Sequence, residues 1–156
     1  MTFAADAALT ITLASLASSA TAGRESTFVE NTTNRYLDAL VVAKFALTTG
    51  TPANDKAIYL FAYGSIDDGT TYPDTVTGTD AAITMVDPTN LRLIGVINAV
   101  AQSTTYTGGP FSVATAFGGV LPERWGIVVR NFTGIALTAT EANHAVRYQG
   151  IELDIA

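Results

Sequence analysis

The sequence predicts an all-β protein, a jelly-roll-like β-sandwich of about eight to ten strands with little helix. Three observations carry that expectation. Thr, Val, Ile, Tyr and Phe recur in short runs, and these residues suit a pleated, half-buried surface. Clusters of Gly, Pro, Asp and Asn punctuate the chain between the runs, each a turn former for its own steric or hydrogen-bonding reason. The length, 156 residues without a repeat, linker or low-complexity tract, fits one domain spanning residues 1–156.

The elements follow in order. Leu9-Thr10-Ile11-Thr12-Leu13 alternates apolar and polar, as a strand with one wet face does. Residues 1–22 are read as an N-terminal arm or edge strand. A short strand is expected over Thr27 to Glu30. Tyr36 to Thr48 has helical spacing at Leu37, Leu40, Val41 and Lys44, but the β-branched pair Val41-Val42 favours a strand. Lys56 to Ile66 is apolar on both faces, the pattern of a strand between two packed layers. Asp67 to Thr79 reads as a loop, and Ala81 to Met85 as a short strand ended by Asp87-Pro88. Leu91 to Val100 is a strand. Thr107-Gly108-Gly109-Pro110 reads as a turn into a strand over Phe111 to Phe117, broken by Gly118-Gly119 and Pro122. Trp125 to Phe132 is the clearest strand. Thr133-Gly134 turns into Ile135 to Ala139, and Val146 to Ile155 closes the chain with Ile151, Leu153 and Ile155 at alternate positions.

Composition bounds the partners. Eight Lys and Arg against fourteen Asp and Glu give a net charge of −6, and charged residues make up only 14% of the chain. An acidic surface repels phosphate backbones, so no nucleic-acid partner is expected. No run approaches the ~18 apolar residues of a membrane helix, so no membrane partner is expected either. The chain has no cysteine, which removes disulfides and thiolate metal sites. Ala7 to Ala22 is small and apolar and holds Ala20-Thr21-Ala22. It is preceded by Asp6 and no basic residue, so it is not read as a secretion signal. With 48% hydrophobic residues and a mean hydropathy of +0.30, a free monomer would have few charges to cover its surface. Both chain ends are expected to be held by a sheet or by neighbouring subunits.

Each candidate for chemistry has a plainer reading. His144, the one histidine, lacks an evident serine and carboxylate for a triad and is expected to sit exposed in a loop. Asp67, Asp68, Asp74 and Asp80 are hard oxygen ligands in one loop region, but their spacing is not that of a calcium loop; they read as a solvated turn cluster. The paired glycines lack a phosphate-loop context. Trp125 opens an apolar strand and is expected in the core, although with the tyrosines it could line a sugar-binding face. Asn31-Thr32-Thr33 and Asn131-Phe132-Thr133 match the glycosylation pattern by chance. No catalytic, cofactor-binding or metal-binding residue is assigned, no cofactor is expected, and the chain is read as a non-enzyme.

Three stretches carry a resemblance. They are Leu16-Ala17-Ser18-Ser19-Ala20-Thr21-Ala22-Gly23-Arg24-Glu25-Ser26 running into Tyr36-Leu37-Asp38-Ala39-Leu40-Val41; Asn90-Leu91-Arg92-Leu93-Ile94-Gly95-Val96-Ile97; and Gly118-Gly119-Val120-Leu121-Pro122-Glu123-Arg124-Trp125-Gly126-Ile127-Val128-Val129. Together they resemble small virion structural proteins of tailed bacteriophages. The resemblance implies a capsid decoration (cement) protein with a jelly-roll body on the capsid exterior, assembled in the host cytoplasm. Its implied partners are the major capsid protein and further copies of itself, often as a homotrimer. A neck or tail structural component, or a carbohydrate-binding β-sandwich module on the virion surface, are the alternatives. Residues 1–22 are expected to form part of the attachment surface.

Overall fold

In a computed structural model, which describes residues 1–153, the strands are β1 (Thr2–Phe3), β2 (Ala7–Ala8), β3 (Ala22–Glu25), β4 (Val29–Glu30), β5 (Asp38–Ala46), β6 (Ala57–Ser65), β7 (Ala81–Thr84), β8 (Arg92–Asn98), β9 (Thr105–Ser112), β10 (Arg124–Phe132) and β11 (Ala145–Glu152). Helix is confined to α1 (Asn31–Asn34) and two 3₁₀ turns at Ala114–Phe117 and Glu141–Asn143. The pairing is nested. The start of the chain (β1, β2) pairs with β11, β3 with β10, β5 with β9 and β6 with β8, all antiparallel. This is a long double ribbon. Rolling it up adds β5–β11 and β6–β10 and produces two packed sheets, a five-stranded one ordered β1-β11-β5-β9 with β2 also on β11, and a six-stranded one ordered β7-β3-β10-β6-β8 with β4 also on β10. Folding a nested ribbon on itself is what makes a jelly roll, so the expected sandwich is observed.

Period-two alternation places the main core. Val41, Ala43 and Phe45 of β5 face Trp125, Ile127 and Val129 of β10 and Ile58 and Leu60 of β6, all buried between the sheets. The opposite face of the six-stranded sheet is buried too. Phe61, Tyr63 and Val128 pack under Val76, Ile83, Met85 and Leu91. The segments on either side of β7, which carry Val76, Met85 and Leu91, are folded over the outside of that sheet, which explains why β6 is apolar on both faces. Tyr63 is fully buried under this cover, edge-on to Tyr72, and its hydroxyl donates to the Ser26 carbonyl at 2.6 Å. The ring needs the space above Gly126, where a Cβ would stand 2.3 Å from the Tyr63 oxygen.

Several expected elements come out differently. Leu9, Ile11 and Leu13 are buried as their alternation implies, but the segment belongs to no sheet. It crosses from one sheet to the other, with the Leu9 N–H donating to Val146 O and Thr10 O accepting from the Thr27 N–H. Thr107–Pro110 is not a turn; it lies inside β9, where Gly109-Pro110 forms a bulge opposite Val42. Gly109 sits at φ +113°, where a Cβ would stand 2.4 Å from the Val41 carbonyl oxygen, and Pro110 is tolerated because β9 is an edge strand. The strand expected over Phe111 to Phe117 therefore ends at Ser112 and gives way to a 3₁₀ turn. Ile135 to Ala139 makes one isolated bridge, Leu47 to Leu137. The strand at Val29–Glu30 is shorter than expected, and β3 precedes it. The expected continuation of β11 to Ile155, and the end of the chain at Ala156, lie outside the described residues.

Trp125 is fully buried and its ring stands edge-on to Tyr148 at 5.2 Å, while its indole N–H has no hydrogen-bond partner among the described residues. Trp125→Ala should therefore destabilise the fold by ~3–5 kcal/mol in urea denaturation. Trp125→Phe should cost clearly less, because no indole hydrogen bond is lost. Equal costs for the two variants would contradict this packing.

Candidate functional site

The fold disperses the residues that sequence reading picked out. Asp67 accepts from Ser65 Oγ at 2.6 Å and Thr71 N at 2.9 Å. Asp68 pairs with Arg124 at 2.7 Å. Asp74 accepts from Thr89 Oγ1 at 2.6 Å and Asn90 Nδ2 at 3.0 Å. Asp80 accepts from Thr12 N at 2.9 Å, Thr12 Oγ1 at 2.6 Å and Arg24 Nε at 2.6 Å. Each carboxylate thus has its own local partners, and among the described residues no three His, Asp or Glu side chains converge on one point.

His144 is not exposed; only 6% of its surface meets solvent. The 3₁₀ turn at Glu141–Asn143 folds it against the end of β5. Its Nδ1 accepts from Ala46 N at 3.3 Å and its Nε2 donates to Thr138 O at 2.9 Å. The ring is a structural joint between two backbone segments. Asn131 is fully buried and its amide donates to Leu16 O and Ile135 O. Asn31 is buried as well, with its amide on Tyr36 O. Neither side chain is free to carry a glycan in the folded chain.

The N-terminal segment is held by carboxylates that no sequence pattern announces. Glu141 accepts from Leu13 N at 2.8 Å and from Ala14 N at 2.6 Å, and Asp80 holds Thr12 from the other sheet. Leu9, Ile11 and Leu13 are thereby fixed as one wall of the core. A third carboxylate, Glu25, is fully buried and accepts from Thr77 N, Thr77 Oγ1 and Gly78 N at 2.8–3.1 Å. It pins the cover loop on the six-stranded sheet.

What remains is a surface, and its position follows from register. Asp38 of β5 lies opposite Ile151 of β11, Leu40 opposite Ser112 of β9, and Arg124 of β10 opposite both Ser65 and Glu30. The chain from β9 to β10 crosses between the sheets here, so these residues define one end of the sandwich. The large exposed apolar side chains concentrate at that end: Ile66 is 82% exposed, Val120 72%, Leu153 60% and Phe3 57%, with Met1 and Leu37 beside them. At the opposite end the described connecting loops also expose Val100 and, after β7, Val86. Ile66, Phe117, Val120, Leu121 and Pro122 line an open groove of about 790 Å³, with Arg92 and Glu123 as its charged lining. Val42, Val86, Leu93 and Val96 are exposed elsewhere, but the groove joins Ile66 and Val120 into one apolar surface, and such a surface is a candidate contact with another molecule.

Arg124 fixes the geometry of this end. Its guanidinium donates to Glu30 at 3.0 Å and to the Asp68 carbonyl, pairs with the Asp68 carboxylate, and lies 4.4 Å from the centre of the Phe28 ring. Bonds from Ser65 and Thr71 hold the neighbouring Asp67 carboxyl down from the ordinary 3.8 to about 2. At Asp80, burial raises the carboxyl pKa, but bonds from Arg24 and Thr12 outweigh it and leave the net shift downward.

Comparison with protein-family models, with curated proteins and with solved structures returns no match to this chain.

A carboxyl whose folded pKa is depressed stabilises the fold above its unfolded pKa, and that stabilisation is lost as pH falls through the folded value. Stability should therefore fall on acidification from the ordinary 3.8 towards about 2 at Asp67. Asp67→Asn should flatten that limb of the curve when thermal melts are recorded across the same pH range. A limb of unchanged slope would show that the Ser65 and Thr71 bonds do not hold the ionised form.

Proposed function

We propose that this chain is a structural virion protein, a capsid decoration (cement) protein of a tailed bacteriophage, that binds across capsomers through the apolar end of its sandwich. The observation that carries this reading is the concentration of Ile66, Val120, Leu153 and Phe3 at one end of a rigid double sheet. A cement protein needs a stiff body and an apolar face that gains energy by leaving water. That gain is ~25 cal/mol per Å² before association costs. The scarcity of charge, 14% of residues, favours tight contacts between copies, and the proposed assembly is a homotrimer seated on the major capsid protein on the capsid exterior. Repetition of each contact around a threefold multiplies affinity. The burial of Trp125 takes from the carbohydrate-binding alternative its best residue.

The N-terminal contribution is narrower than a free arm. Residues 9–13 form core, so a deletion of residues 1–15 would open the fold rather than test attachment. The outward edge of β1 and β2 and the exposed Phe3 are what that segment can offer a neighbour.

Ile66→Asp and Val120→Asp should each lower occupancy on purified parent particles about tenfold. Their melting temperatures should stay near that of the unchanged chain, since exposed substitutions shift stability by only about 0.5 kcal/mol. Full occupancy of both variants would remove the apolar end as the attachment face, and recovery of the protein only with neck or tail fractions would place it elsewhere in the virion. Sedimentation equilibrium of the isolated protein checks the homotrimer.

A further inference from the structure

Four strand edges border the two sheets, and they are not alike. In the five-stranded sheet one border is β1 with β2, each two residues long, and the other is β9, interrupted by the Gly109-Pro110 bulge. In the six-stranded sheet one border is β7, four residues long. Short strands, proline and bulges are the usual means of blunting an edge. The remaining border, β8, has none of the first two. It is seven residues, Arg92-Leu93-Ile94-Gly95-Val96-Ile97-Asn98, with no proline and no charge after Arg92. Its only irregularity is one register shift, at Ile94.

β8 is bonded to β6 on one side. Among the described residues, no backbone or side-chain hydrogen bond reaches residues 92–98 from outside that ladder. In an antiparallel ladder alternate N–H and C=O groups point away from the partner, so the outer row of β8 is unpaired within the chain. β9 lies beside it but does not pair, because the sheets meet there by their faces. The Phe111 ring occupies the space above Gly95, and the Ile97 side chain that above Gly108. A cleft of about 380 Å³ runs between β8 and the end of β9, lined by Leu93, Ile94, Pro110 and Phe111. It adjoins the larger apolar groove through Ala116, which lines both.

We propose that β8 accepts an extended apolar strand from a partner protein, which pairs with the free edge, sets an apolar side chain into the groove at Phe117, Val120 and Pro122, and presents a carboxylate to Arg92. Strand addition of this kind draws affinity from main-chain bonds and selectivity from the pockets beside the edge. The carboxylate is argued from charge. Arg92 lies in the groove lining, is exposed, and has no ion-pair partner among the described residues, in a chain of net charge −6. The inference deepens the proposed function and rests on it only in naming the capsid protein as the source of the strand.

The test uses two short capped peptides that alternate valine and threonine, one with a central glutamate and one with lysine in its place. Added to the isotope-labelled full chain, the glutamate peptide should shift the amide NMR signals of residues 92–98 and of Phe117 and Val120. It should bind about tenfold more tightly than the lysine peptide, and Arg92→Glu should reverse that order. Absence of shifts at β8, equal binding of the two peptides, or an unchanged order in Arg92→Glu would each overturn strand addition. Particle occupancy separates the two readings. Loss of occupancy in Ile66→Asp but not in Arg92→Glu would keep the attachment face and overturn the strand site. Peptide binding at β8 together with full occupancy of Ile66→Asp would keep the strand site and overturn its use on the capsid.

Discussion

The pairing of β6 with β10 is the constraint on which the rest of the molecule depends. Their register runs unbroken from Arg124 opposite Ser65 to Phe132 opposite Ala57. The pair sits at the centre of the six-stranded sheet and has a core on each side. Ile58, Leu60, Trp125 and Ile127 face the five-stranded sheet, and Phe61, Tyr63 and Val128 face the cover chain. A one-residue slip would exchange these two sets of side chains between faces of different shape. The close fit of Tyr63 over Gly126 could not survive it.

The acidic residues do a second job. A chain with few charges has spent many of its carboxylates on backbone N–H groups that no sheet satisfies. Glu25 holds the cover loop, Glu141 and Asp80 hold the N-terminal segment, and Asp38 accepts from Ala39 N and Ala114 N at the entrance to β5. Buried or half-buried donors are costly when left unpaired, and an ionised acceptor makes the stronger bond. These acids therefore order loops, which accounts for their dispersal.

The ends of the sandwich differ in kind. At one end, Val100 and Val86 are the large apolar side chains that the described loops leave in solvent. At the other, Ile66, Val120 and their neighbours stand in solvent above a groove, beside a strand edge without proline. An Arg124 network with Glu30, Asp68 and Phe28 braces that end, so the exposed side chains are presented on a stiff support.

The all-β class, the positions of β5, β6, β8 and β10 and the core role of Trp125 were legible in the sequence. Long runs of β-branched and aromatic residues with period-two burial declare themselves locally. The same local rule misjudged Gly108-Gly109-Pro110, because a bulge on an edge strand and a turn use the same residues. It misjudged His144 for a different reason: burial of a polar ring depends on acceptors and donors from Ala46 and Thr138 that only the folded chain brings near. The apolar end face was the least legible feature. Ile66 and Val120 look in sequence like any other core residue, and only the closure of two sheets decides which apolar side chains are covered. Composition determined that the chain would fold as strands with few charges; tertiary structure decided where its uncovered surface lies, since exposure belongs to the whole packing and not to any residue within it.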